Sequence, residues 1–262
     1  MKREEISYLA HVRHPIAAPL SDGSVRELLE RALPITATSP DVGPDGARTP
    51  GSPRVLDLAC GRAEWLLRAL SLRPDVRAEG VDTAEPGLGY AREAAERLGV
   101  GDRLLLHRQD AALFTGPHLF DLVLCVGSGH AFGGLLPALA AARRHLAPGG
   151  LVLIGEGYWE REPSPAATDL LGELHDLAAT TEQVVSDGWA PVAAHTSSRA
   201  ELDAYEWSWT GSLADWALDH PEHPDAPALL DTAAEHRRDW LGTYRESFGF
   251  VTYLLRALPR RD

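Results

Sequence analysis

Between Arg54 and Ile154 the chain alternates short apolar runs with helical patterns, and this alternation leaves very few architectures open. Arg54–Ala59, Arg77–Val81, Arg103–His107, Phe120–Val126 and Leu151–Ile154 read as strands. Helical patterns lie between them: one runs through Leu70, one covers Pro86–Leu98, and one covers Leu135–Leu146. Pro86 opens the second helix and Gly99 closes it, which is the expected punctuation. Strands alternating with helices at this spacing form right-handed βαβ units and a parallel sheet. Phe120–Val126 is apolar after Asp121, so it belongs at the centre. Pro148-Gly149-Gly150 turns into the fifth strand.

The flanks read differently. Residues 1–33 form a helical cap, with Val25, Leu28, Leu29, Ala32 and Leu33 at three- and four-residue spacings and Ser21, Asp22 and Ser24 as caps. Residues 34–53, rich in Pro, Gly, Ser, Thr and Asp, read as a flexible loop. Residues 54–156 are the core of a single domain spanning 1–262. Residues 157–262 supply a lid and closing strands. Within them 163–187 is helical, Trp189–His195 a strand, 199–245 a helical insertion and Phe248–Leu258 a final strand.

Composition narrows the function. With 25 basic and 38 acidic residues the formal charge is −13. Nucleic-acid backbones and anionic membranes favour basic surfaces, so neither is an expected partner. No signal-peptide-length apolar stretch opens the chain, and no 18-residue apolar run occurs in it. Cys60 and Cys125 sit in apolar runs and read as buried thiols, which fits a reducing cytoplasm. The expected partner is a small molecule, taken up by a monomer or homodimer.

The first strand ends in Asp57-Leu58-Ala59-Cys60-Gly61 and runs into a helix. In an open α/β sheet the crevice at that end is the ligand site, and backbone amides at the helix start face it. Small residues at 59, 61 and 63 let the backbone approach a ligand. The second strand ends in Gly80-Val81-Asp82, followed by Thr83. A carboxylate about 20 residues on suits ribose hydroxyls. The third strand leads to Gln109-Asp110-Ala111, where a carboxylate can accept from an adenine amino group. The first loop lacks the full G-x-G-x-x-G that a pyrophosphate needs, which counts against a nicotinamide oxidoreductase.

VLDLACGRAEWL, GVD (80–82), QDA (109–111), FDLVLCVGSGHAFGG (120–134) and LAPGGLVLIGE (146–156) resemble the successive motifs of class I methyltransferases that use S-adenosyl-L-methionine (SAM). HVRHPIAAPLS (11–21), GEGYW (155–159) and FGFVTYLLR (248–256) resemble a bacterial small-molecule subgroup. The resemblance implies a Rossmann-like α/β fold. Its sheet has seven mostly parallel strands, helices on both faces and an antiparallel last strand. It implies that Asp57, Ala59 and Gly61 line the methionine end of SAM, that Asp82 takes the ribose and Asp110 the adenine, and that Val126 lies near the sulfonium. Thr83 and Ala111 are expected cofactor contacts as well. S-Adenosyl-L-homocysteine (SAH) is the implied product. Ala59 and Ala63 replace the usual glycines, and Ala18 replaces the subgroup's asparagine.

Methyl transfer to an O, N or C nucleophile needs alignment and, for a protic acceptor, a base. His130 in GSGHAFGG follows the fourth strand and suits that role. Glu156, ending the fifth strand, can bind a cationic acceptor or orient His130. His14 in the cap, and Tyr158 and Trp159 on the loop after Glu156, are the expected acceptor contacts; His11 is a weaker candidate. Trp209 and Trp216, seven apart, share a helix face and read as packing. His220-Pro-Glu-His223-Pro-Asp225 reads as a solvated turn, and no metal is expected. The other readings are a SAM-binding protein without methyl transfer, one using SAM for a non-methyl reaction, and the oxidoreductase.

Overall fold

A computed structural model of the chain describes residues 1–33, 40–42, 48–50 and 52–259. Of the segment read as a loop, 34–39, 43–47 and 51 lie outside the described residues. Within the same segment β1 (Pro40–Val42) and β2 (Arg48–Pro50) pair antiparallel.

The main sheet takes β3 (Arg54–Leu58), β4 (Arg77–Asp82), β5 (Leu104–Arg108), β6 (Phe120–Val126), β7 (Leu146–Trp159), β8 (Trp189–Thr196) and β9 (Phe248–Ala257) in the order β5-β4-β3-β6-β7-β9-β8. The pairs β3/β4, β4/β5, β3/β6 and β6/β7 are parallel. Near β9 the partner numbers run in opposite directions. Glu160 N donates to Ser247 O at 2.7 Å, Ser197 N to Phe250 O at 2.8 Å and Leu258 N to Gly188 O at 2.9 Å. β9 is therefore antiparallel to its neighbours.

From β3 the chain steps outward through α3 (Glu64–Leu72) and α4 (Glu85–Arg97) to β5. It then returns to β6 and steps the other way through α5 (Leu135–His145) to β7. Right-handed crossovers run in opposite directions put these helices on opposite faces. The strand order reverses between β3 and β6, and the carboxyl ends of those strands frame the crevice. Val55, Leu56, Leu58, Leu122, Leu124, Leu153 and Ile154 are fully buried there.

One strand differs markedly from the sequence reading, at both of its ends. β7 begins at Leu146 rather than Leu151. Phe120 pairs with Leu146 and Leu122 with Leu151, so Pro148-Gly149-Gly150 bulges out of the ladder. β7 also continues to Trp159, so Tyr158 and Trp159 stand on a strand rather than a loop, and both are buried. Pairing with β9 extends the strand: a Cβ on Gly249 would lie 2.4 Å from the Tyr158 ring, which packs flat on that glycine.

The described chain divides into two compact units. The sheet unit holds Asp22–Glu156, Val184–His195 and Thr252–Asp262, and includes α2 (Asp22–Ala32), whose Asp22 pairs with Arg68 of α3 at 2.6 Å. Val25, Leu28, Leu29 and Ala32 are the buried face of α2, as their spacing predicts.

The helical unit holds Met1–Ser21, Gly157–Gln183 and Thr196–Val251. It contains α1 (Arg3–Ala10), α6 (Pro165–Leu171), most of α7 (Leu177–Ser186), α8 (Arg199–Asp219) and α9 (Ala226–Asp239). Ser198 starts α8 with a capping box, exchanging bonds with Glu201. Ala10, Leu213, Ala217, Ala226, Leu229 and Ala233 form its core, with Trp209 and Trp216 packed against them. The turn 220–225 joins α8 to α9, and His220 there stacks on Trp216 at 4.4 Å. Among the described residues no helix is long and apolar enough to cross a membrane.

Candidate active site

The loop after β3 carries the strongest backbone signature in the sheet unit. Ala59, Gly61 and Ala63 take φ of 64°, 53° and 54°, the left-handed region. Alternate left-handed residues make a tight coil ahead of α3 and explain why small residues recur at these positions. A Cβ on Gly61 would meet nothing within 4 Å, so the space above that residue is open to a ligand. A Cβ on Gly87, in the first turn of α4, would lie 2.6 Å from Gly61 O. Gly87 thus allows α4 to lean on the loop. Its sequence signal was the pair of glycines after Pro86.

Three carboxylates occupy the strand ends. Asp57 is 4% exposed. Burial, reinforced by the nearby Asp82, pushes its carboxyl up to about 8. Among the described residues no cation offsets that penalty. Asp82 ends β4: Oδ2 accepts from Gly61 N at 2.7 Å and Oδ1 from Ala84 N at 2.8 Å. Each oxygen keeps a lone pair for a hydroxyl. Gln109 N donates to Asp82 O at 3.0 Å and ties the third loop to the second. Asp110 caps the short turn Ala111–Leu113 by accepting from Ala112 N at 2.8 Å; Ala111 is buried and Thr83 exposed.

The loop after β6 is fastened by a residue the sequence reading missed. Buried Ser128 donates to Leu58 O and lies beside Cys125 Sγ, both at 3.2 Å. Cys125 is pushed up to about 12, mainly by burial, with Asp57 and Glu156 adding to it. Cys60 is raised as well, by burial first. Neither thiol is a nucleophile in these surroundings. Val126 is half-buried at the end of β6. His130 stands exposed in the 3₁₀ turn Gly129–Phe132, and its ring has no hydrogen-bond partner among the described residues. Glu156 reaches toward the same loop: a Cβ on Gly129 would lie 3.2 Å from its Oε2.

A groove of about 690 Å³ lies elsewhere on the sheet unit, bounded by α2, α3 and α4, with Leu29, Leu67, Leu72 and Tyr90 in its walls. None of the strand-end carboxylates lines it, so it is distinct from the crevice.

The helical unit holds the remaining sequence candidates. The ring of His14 meets Tyr205 edge-on at 5.3 Å, and its Nδ1 donates to Ile16 O at 2.8 Å. Trp159 packs with Ala167, Trp240 and Tyr244 in a small core, which accounts for its burial as packing. A polar cluster not anticipated from sequence joins α8, α9 and the helical turn Trp240–Tyr244 that follows α9. Buried Glu206 accepts from His236 Nε2 at 2.6 Å and from the Tyr244 hydroxyl at 3.2 Å. His236 stacks on Trp209 at 4.1 Å.

The residues of the crevice fit SAM. Asp57 is a buried carboxylate awaiting a cation, which SAM's ammonium group can supply. The left-handed coil leaves open space over Gly61, and Asp82 presents paired oxygens.

Comparison with known proteins agrees. Residues 55–150 match the methyltransferase domain family. The chain is 31% identical over 217 residues to the uncharacterized protein YjhP of Escherichia coli K12, covering 79% of this chain and 86% of that protein. The crystal structure of YjhP is similar at a TM-score of 0.80 and 24% identity, covering 97% of this chain and 99% of that one. A SAM-dependent methyltransferase from Geobacter sulfurreducens, solved with SAH, is similar at a TM-score of 0.83 and 22% identity, covering 97% and 98%.

Fold and crevice together define a Rossmann-like enzyme of the methyltransferase class. The chain belongs to the same family as YjhP, and its residues 55–150 form a methyltransferase domain.

Proposed function

We propose that this enzyme methylates a small molecule at an oxygen, nitrogen or carbon nucleophile by in-line displacement. The observation that carries the reading is the buried, cation-free Asp57 beneath the open left-handed coil. SAM, when bound, supplies an electrophilic methyl group on sulfur.

The chain's own residues do the positioning. Asp57, Ala59 and Gly61 hold the methionine end. Asp82 accepts from the ribose hydroxyls, with Thr83 beside it. Asp110 and Ala111 take the adenine, and Val126 sits by the sulfur. Proximity and orientation of this kind supply roughly 7–11 kcal/mol of a displacement barrier, so a strong chemical device is not required. His130 and Glu156 contact the acceptor. Their support is the approach of the Glu156 carboxylate to Gly129, next to His130. His14, Tyr158 and Trp159 are proposed as acceptor contacts on their sequence positions alone.

Calorimetric titration with SAM, SAH and NAD tests the reading. SAM and SAH bind and NAD does not; binding of NAD alone would overturn it. Incorporation of labelled methyl into a small-molecule extract separates a transferase from a protein that only binds SAM. Loss of transfer in His130→Ala and Glu156→Ala with SAM binding kept supports their assigned roles.

A further inference from the structure

We propose that the groove between α2, α3 and α4 binds a small amphipathic carboxylate, and that the loop after β3 senses its occupant. The groove lies wholly in the sheet unit, apart from the crevice. The site itself is independent of the methyl-transfer reading above; its coupling to the crevice rests on the SAM reading.

Size and lining suit a small molecule. Ligand pockets enclose roughly 300–1,000 Å³, with mostly apolar walls and a few polar groups that orient the guest. This groove encloses about 690 Å³. Leu29 and Leu67 line it and are almost fully buried, whereas Leu98, also in the lining, is 54% exposed. An aliphatic side chain left open beside an apolar wall gains by being covered.

Charge selects the sign of the guest. The chain carries −13 overall, yet this lining holds Arg26, Arg68 and Arg97 against Asp22 and Glu64. Arg68 is engaged by Asp22 at 2.6 Å and by Glu64, and Arg26 by Glu30 at 2.8 Å. Arg97 is the loosest of the three, with Glu93 at 4.0 Å. Its Cζ lies 5.8 Å from the centre of the Tyr90 ring, and the Tyr90 hydroxyl has no hydrogen-bond partner among the described residues. A guanidinium and a phenol this close can hold one carboxylate between them, and the guanidinium repels an ammonium group.

The same face of α4 reaches the cofactor loop. Gly87, Tyr90, Ala94 and Arg97 recur at i, i+3, i+7 and i+10. Gly87 packs on the carbonyl of Gly61. The Arg62 guanidinium lies over the Tyr90 ring at 3.7 Å, and Arg62 stands between the left-handed residues Gly61 and Ala63. Tyr90, Ala94 and Arg97 also line the groove, as does Glu64, the first residue of α3 after that coil. The Tyr90 ring thus touches the coil through Arg62 and the guest through the groove. A guest resting on Tyr90 pins the ring against Arg62 and steadies the coil that SAM must meet.

Calorimetry with octanoate, 1-octanol and octylammonium tests the site, because the three share one apolar body and differ in charge. Octanoate is expected to bind saturably at one site, at least about tenfold tighter than octanol, with octylammonium weakest. Arg97→Gln brings octanoate down to the level of octanol. Ser71→Trp, at an exposed position of the lining, blocks all three. No saturable octanoate binding, octylammonium binding as tight as octanoate, or octanoate binding unchanged in Ser71→Trp overturns the site. Titration of SAH in the presence of octanoate tests the coupling. Saturating octanoate raises SAH affinity at least about fivefold, and SAH raises octanoate affinity by the same factor. Tyr90→Phe keeps this effect and Tyr90→Leu loses it. Octanoate that binds and leaves wild-type SAH affinity unchanged overturns the coupling. If octanoate binds and SAH does not, the SAM reading falls and the site stands.

Discussion

The carboxylate of Asp82 accepts the backbone amide of Gly61 at 2.7 Å, so the end of one strand fixes the loop after its neighbour. The second Asp82 oxygen holds Ala84 N at 2.8 Å. One side chain thereby fixes both the loop after β3 and the turn after β4. Replacing Asp82 by Ala is expected to lower SAM affinity by more than a lost ribose contact alone, because the loop at Gly61 loses its tether. Asp82→Asn keeps an acceptor for one amide and loses less. Calorimetry with SAH ranks the three proteins; equal affinities for Asp82→Ala and Asp82→Asn would refute the tether.

Asp57 ties ligand affinity and stability to pH. Its folded value, about 8, lies above the ordinary 3.8. The native state therefore holds a proton that the unfolded chain has already released between those values. Stability from this group is fully present below the unfolded value, falls as pH rises, and is lost once pH passes about 8. Asp57→Asn removes the effect, so relative to wild type it gains on the order of 5 kcal/mol between acid and pH 9, measured by urea unfolding of the ligand-free protein. The ionised form binds a cation better, so wild-type SAM affinity rises toward pH 8 and then levels, while the Asn variant shows a flat profile.

Ala59 and Ala63 sit where glycine is the usual occupant. A non-glycine residue in the left-handed region costs roughly 1–2 kcal/mol, and glycine's greater unfolded freedom offsets about 0.5–1 of that. Ala59→Gly and Ala63→Gly are expected to be neutral or to stabilise by up to about 1 kcal/mol, a rise of about 2–4 °C in Tm. Gly61→Ala goes the other way by a similar amount, since its cost is backbone alone. Differential scanning calorimetry decides, and a clear fall in Tm for Ala59→Gly contradicts the strain argument.

Gly87→Ala places a methyl 2.6 Å from a backbone oxygen that cannot rotate away. Forced overpacking of this kind costs roughly 1–3 kcal/mol. The shift of α4 disturbs the loop at Gly61, so SAH affinity and Tm both fall. A protein with normal affinity would mean the loop absorbs the methyl.

In the helical unit, Glu206→Ala strands His236 and Tyr244 and is expected to cost roughly 3–5 kcal/mol. Glu206→Gln keeps an acceptor for the Tyr244 hydroxyl and costs less than half as much. Chemical denaturation measures the difference; a cost for Gln equal to that for Ala would show the charge, not the hydrogen bonds, to be what matters.

Much of this was legible in the sequence because it is local. The β6 boundaries match their apolar run residue for residue, and the α2 face follows from its spacing. The strand-end carboxylates were found from motif position. What local patterns could not show was long-range pairing. β7 reaches Trp159 because β9, nearly ninety residues later, lies against it, so a buried strand resembled a loop with aromatic residues. The Glu206–His236–Tyr244 cluster joins two helices and leaves no periodic trace. The tautomer of His14 depends on a carbonyl two residues away whose direction only the folded turn determines.

The position of β9 in the sheet also orders events at the ribosome. β8 borders the sheet only through β9, and β9 is made after the whole α8–α9 hairpin has emerged. Until then β7 presents an unpaired edge to solvent. The nascent chain thus carries an adhesive border from the completion of β7 at Trp159 until β9 is made at Phe248, and the sheet closes in one late insertion.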